Sequence, residues 1–191
     1  ELVFFDCHAC HHPMSNVRWQ ARESTGIAPG TPRLADANLI MMGVLLDHLD
    51  RTLAVDFKAR VKALHQASLK GHEATLAAAR HLRELTTTMT GRIAATEFKP
   101  SDIRALLVGV IGHGLRGEYV DYAAAEQATM ALAAIVDAMK ESGLLSQPQY
   151  QALIGVLDKC YDAVEKDEAF DPKTFLAALQ ALEAAIPKAE G

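Results

Sequence analysis

The chain divides into a short irregular segment and a long segment in which apolar residues recur at helical spacing. From Leu34 onward, leucine, isoleucine, valine and methionine return every three or four residues, which places them on one face of a helix. The first such run extends from Leu39 to Leu53, a second follows from Val61 to Leu69 and breaks at Gly71, and a third extends from Leu76 to Ile93. Alternating runs rich in valine, isoleucine and threonine, which are typical of strands, are absent from the sequence. The pattern predicts an all-α protein.

Polar capping residues predict where the later helices begin. Helix starts are expected at Pro100, Asp121, Ser146 and Asp171, where polar side chains can cap free amides and nearby prolines fit a first turn. The helix that follows Asp121 is expected to stop at Gly143. No repeat of fixed period occurs, which argues against a solenoid. We therefore predict an up-and-down helical bundle over residues 34–191.

Residues 1–33 lack the helical pattern and form a predicted loop with several glycines and prolines. A loop of this length without regular structure is uncommon unless it wraps another group. A bulky cofactor would supply the core that this segment lacks. We predict two regions, an attachment segment over residues 1–33 and the bundle over residues 34–191.

Composition excludes several classes of function. The net charge of −5 is mild and gives no reason to expect nucleic acid. No apolar run reaches the length of a transmembrane helix. Three cysteines are an odd count, which does not fit a disulfide framework. Cys160 stands alone at helical spacing from Leu157 and Val164, so we predict a buried, inert thiol there.

The residues Cys7-His8-Ala9-Cys10-His11 fit the pattern C-x-x-C-H, the signature of covalent haem c attachment. Two thiols at this spacing can each add to one of two neighbouring vinyl groups on the porphyrin edge. His11 then lies under the iron and can donate a ring nitrogen as the proximal ligand. We predict one covalent haem c held by Cys7, Cys10 and His11. Trp19, the single tryptophan, is expected to stack on the porphyrin edge or to anchor the loop.

Two other interpretations of the motif use the same residues. Cys7, Cys10, His11 and His12 could supply four ligands to zinc. Adjacent histidines rarely both reach one tetrahedral ion, however, and no second pair of ligands closes the site. A redox-active cysteine pair would need a βαβ context that the helical pattern does not offer. Haem remains the favoured interpretation.

The second axial position of the iron decides which function follows. A second histidine favours a low-potential electron carrier, methionine raises the potential, and an open position allows gas binding or catalysis. His113 is the strongest distant candidate, because it lies in the glycine-rich stretch 109–114 of an apolar helix and could admit a flat group. Each helix glycine costs about 1 kcal/mol relative to alanine, and close packing on a neighbouring helix is the alternative explanation. His12 is expected to serve a neighbouring haem or to lie in a solvated loop.

For three further histidines and two methionines, the sequence predicts only whether the side chain is exposed or buried. His65, His72 and His81 lie among lysine, arginine and glutamate residues, so we expect them on solvated faces. Met41 and Met42 lie in an apolar helix and are expected to fill the core.

The stretch from Phe5 to Met14, followed by Trp19-Gln20 and by residues 29–33, resembles a segment of the multihaem c-type cytochromes of the hydroxylamine-oxidoreductase and nitrogen-cycle group. The alanine-rich stretch 121–133 is similar to the helical tail of such proteins. The resemblance implies covalent haem and electron exchange between haems. Those proteins carry several haem motifs, whereas this chain carries one. No signal peptide is apparent, so we expect either that a signal has been removed or that the chain begins partway through a longer protein, and the motif only six residues in favours the second.

The leading functional hypothesis is a c-type cytochrome, or a cytochrome domain, that exchanges electrons with a redox partner protein. Another multihaem cytochrome is one candidate partner, and the sequence is compatible with an oligomer. We predict no catalytic residues, because no triad, phosphate loop or carboxylate pair stands out. A haem sensor or enzyme with an open iron site and a zinc-stapled helical interaction module are the alternatives. Haem attachment by this motif takes place outside the cytoplasmic membrane, so we expect a periplasmic or extracellular location.

Overall fold

The computed structural model describes residues 4–6, 22–28 and 31–187, and the statements below concern these ranges. They contain seven α-helices and one pair of two-residue strands, which confirms the all-α prediction. The helices belong to two compact units, Glu1–Glu97 and Phe98–Gly191.

The first unit contains two short strands, a 3-10 turn and three helices. They are β1 (Phe5–Asp6), the 3-10 turn Glu23–Thr25, β2 (Arg33–Leu34), α1 (Ala37–Leu49), α2 (Arg51–Ser68) and α3 (His72–Ala94). The strands are antiparallel, with Phe5 opposite Leu34 and Asp6 opposite Arg33. The segment 1–33, which we predicted to be irregular, therefore contributes β1 and the first residue of β2 to a short ladder.

Two helices precede Gly71, as predicted, but the boundary between α1 and α2 lies at Asp50, inside the run predicted over Leu39 to Leu53. The Asp50 backbone is extended, and its carboxylate accepts a hydrogen bond from the Leu53 backbone N–H at 3.0 Å. An aspartate in this position caps a new helix, because its side chain satisfies an amide that lacks a partner in the first turn. The predicted break at Gly71 is confirmed, and its φ of 104° lies in a region that favours glycine.

The core of the first unit forms where α2 meets α1 and α3. Its buried members are Leu46, Ala54, Phe57, Leu82, Leu85 and Met89. Met41 and Met42 are both half-buried, and Met42 packs against this cluster, which confirms its predicted role as a core filler.

The second unit consists of four helices, and all four predicted starts are confirmed. The helices are α4 (Pro100–Leu115), α5 (Tyr122–Glu141), α6 (Gln147–Ala163) and α7 (Pro172–Ala185). Asp121, Ser146 and Asp171 each accept a hydrogen bond from a backbone N–H of the helix that follows. The α5 helix ends at Glu141, two residues before the predicted stop at Gly143.

The four helices pack in a closed ring, in which α4 contacts α5 and α7, and α6 contacts the same two helices. Their facing sides bury leucines, alanines and the aromatic rings of Phe170 and Phe175. Cys160 is fully buried in this core, as the sequence predicted. Its burial raises the pKa of the thiol to about 11.

Candidate functional site

The residues predicted to hold haem lie outside the described residues. Cys7, Cys10, His11, His12 and Trp19 all fall within residues 7–21, which we call the motif segment. Their assignment to haem or zinc stays a prediction. The described residues on either side show how the two ends of the motif segment are anchored.

The upstream end of the motif segment is held by backbone pairing. Asp6, its immediate predecessor, ends β1 and is paired with Arg33 of β2. The ladder is extended by the backbone N–H of Ala35, which donates to the Phe4 carbonyl at 2.9 Å. The chain therefore enters the motif segment from a fixed position beside residues 33–35.

The downstream end is held by a buried ion pair. Arg22, the immediate successor of the motif segment, donates through its guanidinium Nη2 to the carboxylate of Asp36. The side chains of Arg22 and Asp36 are 2% and 4% exposed, so water screens the pair only weakly. Asp36 directly precedes α1. Both ends of the motif segment are thus bound to the short stretch 33–36.

The turn after Arg22 packs on the C-terminal half of α2. Thr25 is buried, and its hydroxyl donates to the Arg22 carbonyl at 2.8 Å. Gly26 has a φ of 64°, and a Cβ atom there would collide with the side chains of Lys62 and Gln66 on α2. Only glycine satisfies both the left-handed backbone and this close approach. The turn therefore lies against α2 on either side of position 65.

His65 itself is buried, with only 1% of its surface exposed, so the prediction of a solvated face was wrong for this residue. Its position explains the error. His65 follows Phe57 and Val61 at intervals of four residues, which puts it on the side of α2 that faces the core. The nearby lysines and arginines that suggested solvent lie on other faces of the helix. This spacing was the sequence signal that could have revealed the burial of His65.

The other histidines of this group agree with the prediction. His72 and His81 are both exposed on α3. The side chain of His81 is 71% exposed and lies 3.3 Å from a carboxylate oxygen of Glu84, its neighbour on the same helix. His65 therefore differs from them in both burial and partner.

The buried partner of His65 is Asp36, whose Oδ2 atom lies 2.8 Å from the Nε2 atom of His65. Burial alone would raise the pKa of Asp36, but the hydrogen bond from His65 and the charge of Arg22 outweigh it and hold this pKa below its ordinary value. Asp36 is therefore ionised and can only accept, so Nε2 of His65 carries the shared proton.

The other ring nitrogen of His65 is chemically distinct. Its Nδ1 atom is buried and has no hydrogen-bond partner among the described residues. A carboxylate that holds one ring nitrogen is also the usual partner of a metal-bound histidine.

His113 is buried on α4, in the second unit. Of the glycines beside it, Gly114 has no room for a side chain, because a Cβ atom would collide with Leu179 and Tyr119. The Tyr119 hydroxyl donates to the Val110 carbonyl at 2.8 Å, which holds its ring against α4. Close packing, the alternative raised for this stretch, therefore accounts for Gly114. The role of His113 as an iron ligand stays a prediction.

The parts of the chain that the structure describes contain no group of three or more histidine, cysteine, aspartate or glutamate side chains placed to hold a metal ion. None of the described helices has the length and apolar character to cross a membrane. No protein-family model, curated protein or solved structure matches this chain.

Proposed function

We propose that this chain is a c-type cytochrome, or a cytochrome domain, that carries one covalent haem and transfers electrons to or from a redox partner protein. Cys7 and Cys10 would hold the porphyrin through thioether bonds, and His11 would be the proximal iron ligand. The observation that carries the proposal is the C-x-x-C-H motif, whose spacing meets a specific chemical requirement.

The anchoring of the motif segment supports the proposal. Asp6 and Arg22, the residues that flank the motif segment, are both bound to residues 33–36. Closing a loop in advance removes part of the entropy that its residues would lose when they take up a defined geometry. Anchored residues on both sides therefore suit a segment that must hold two thiols and an imidazole around one planar group.

The residues around the anchor also fit a haem. The buried Nδ1 of His65, which lacks a hydrogen-bond partner among the described residues, lies on the residue that shares Asp36 with Arg22. When bound, haem supplies a one-electron iron couple. The chain would attach it, orient its axial imidazole and limit the access of water. We propose an electron carrier with a periplasmic or extracellular location and another haem protein as a candidate partner.

The test is expression of the chain with an export signal and the haem-maturation machinery, followed by visible spectroscopy and acid–acetone extraction. We expect sharp reduced bands and colour that stays with the protein after extraction, because thioether bonds survive acid. The intact mass should rise by one haem.

The double variant Cys7→Ala/Cys10→Ala should lose covalent haem, whereas Cys160→Ala, which removes a buried thiol from the second unit, should retain it. A colourless wild-type protein of unchanged mass would contradict the proposal. One equivalent of zinc in that protein would favour the zinc-stapled interaction module instead.

A further inference from the structure

We propose that the groove between α6 and α7 is the surface through which two copies of this chain form a dimer. The sequence is compatible with an oligomer, and this groove is where the second unit can bind another copy. All the residues involved belong to the second unit, so the dimer does not depend on the haem.

The groove opens at the surface between the two helices and has a volume of about 420 Å³. Alanines form most of its lining, and three polar residues complete it. The alanines are Ala163, Ala177, Ala178 and Ala181, and the polar residues are Lys159, Asp162 and Thr174. Because alanine side chains are short, the two helices leave a trough here, and a trough between helices can accept the side chains of a third helix.

The groove side of α7 is not needed for the core of its own unit. The core contribution of this helix comes from Phe175, Leu179 and Leu182, which are fully buried. Ala177 is exposed and Ala181 is half-buried. A helix face in contact with water usually carries charged residues, and these two positions carry none. Short apolar side chains suit a face that another helix approaches closely.

The groove side of α6 is also open beyond the groove itself. Gly155 precedes Lys159 by four residues, so the two positions lie on the same side of the helix. A Cβ atom at Gly155 would meet no other atom within 4 Å. A second helix can therefore approach α6 over at least two turns without displacing a bulky side chain.

The charges at the groove favour a second copy as the occupant. Lys159 and Asp162 are both exposed, carry opposite charges and are three positions apart on α6. In a two-fold dimer, residue i of one copy contacts residue j of the other, and j contacts i. Two α6 helices that cross antiparallel about an axis between positions 160 and 161 place Lys159 opposite the partner's Asp162, and the reverse contact follows by symmetry.

The area of this face fits a weak dimer. Helix α6 has 17 residues. At 1.5 Å per residue it is about 25 Å long, and two adjacent helices present a face roughly 20 Å wide. The contact would bury roughly 500 Å² per copy, or about 1,000 Å² in total, which is near the lower limit for a specific interface. We therefore expect a dissociation constant in the micromolar range.

Sedimentation velocity of the full chain, from about 1 to about 200 µM, should show a monomer–dimer equilibrium. Ala181→Glu places a charge in the groove and should weaken the dimer at least about tenfold. The matched control is Ala134→Glu, the same change at an exposed position of α5, which should leave the equilibrium unchanged. Circular dichroism checks that both variants keep the helix content of the wild type.

A charge swap tests the two-fold pairing with changes at exposed positions that leave the core intact. Lys159→Glu and Asp162→Lys each place like charges together on both sides of the axis, so at low salt each should weaken the dimer about tenfold. The double variant Lys159→Glu/Asp162→Lys restores opposite charges and should recover the wild-type dissociation constant.

A wild-type chain that stays monomeric at about 200 µM would overturn the inference. A dimer that tolerates Ala181→Glu would also overturn it, because the contact would then lie elsewhere. A double variant that binds as weakly as the two single variants would rule out the proposed two-fold pairing. None of these outcomes bears on the haem, which is tested separately by its spectrum and by the mass of the chain.

Discussion

The Nε2 atom of His65 lies 2.8 Å from Oδ2 of Asp36, although the two residues are 29 positions apart in the chain. The hydrogen bond joins the residue that precedes α1 to the last turns of α2. Because Arg22 binds the same carboxylate, the bond also connects α2 to the end of the motif segment. The stability of the first unit and the placement of the motif should therefore depend on this one carboxylate.

We expect Asp36→Asn to lower the free energy of unfolding by about 3–5 kcal/mol, because it removes the negative charge that is buried against the guanidinium of Arg22. Urea denaturation followed by circular dichroism measures the change. The control is Asp47→Asn, which removes an exposed partner of Lys58 and should cost less than about 1 kcal/mol. Equal losses of unfolding free energy in the two variants would show that burial does not increase the contribution of the Arg22–Asp36 pair.

Asp50 should contribute to stability as the cap that separates α1 from α2. Asp50→Ala removes the acceptor for the Leu53 N–H and is expected to cost about 1 kcal/mol. Asp50→Asn keeps a side-chain oxygen and should stay within a few tenths of a kcal/mol of wild type. Thermal denaturation of the three proteins measures the difference. An equal loss in both variants would point to the charge rather than the cap.

Two glycine-to-alanine variants should change stability in opposite directions. Gly114→Ala places a methyl group against Leu179 and Tyr119 and is expected to cost about 1–3 kcal/mol through overpacking. Gly91→Ala lies on α3 with no atom near the new Cβ, so higher helix propensity should stabilise it by about 0.5–1 kcal/mol. Chemical denaturation of both variants checks the prediction. A neutral Gly114→Ala would mean that Leu179 and Tyr119 can move aside.

Cys160 should make the protein less stable in alkali. Its pKa is raised by burial to about 11 from an ordinary value of 9.0, so only the unfolded thiol ionises between these limits. The contribution is complete below about pH 9 and is lost as the pH rises through about 11, a difference on the order of 2 kcal/mol. Urea denaturation from about pH 8 to about pH 10.5 should therefore show a flatter decline for Cys160→Ala than for wild type. Parallel declines would contradict a buried neutral thiol.

Thiol titration should separate the three cysteines of the haem-loaded protein. Cys160 is fully buried and should not react with a thiol reagent in the native state. After unfolding, one thiol per chain should react, because Cys7 and Cys10 would be thioethers. Three reactive thiols after unfolding would contradict covalent attachment. Mass spectrometry of the labelled chain identifies the residues.

Local features of the fold were predictable because their causes lie within a few residues. Ser146 and Asp171 cap helices through hydrogen bonds to amides three and two residues away. Their effect depends on neighbouring residues alone. The cap at Asp50 has the same cause, but it falls inside the apolar run from Leu39 to Leu53, so the sequence analysis placed the boundary between the first two helices too far along the chain.

The sequence by itself determined the helical class, the starts of the four helices of the second unit and the motif on which the haem proposal rests, since each depends on spacing along the chain. Only the tertiary structure decided that Arg22, Asp36 and His65 form one buried network. Arg22 and Asp36 are 14 residues apart, and Asp36 and His65 are 29 apart. No local pattern encodes such pairings, because they form only when α2 packs beside α1 and the turn after Arg22. Because the neighbours of His65 in the sequence are charged, the sequence indicated an exposed side chain. The packing of α2 in the folded unit buries it instead.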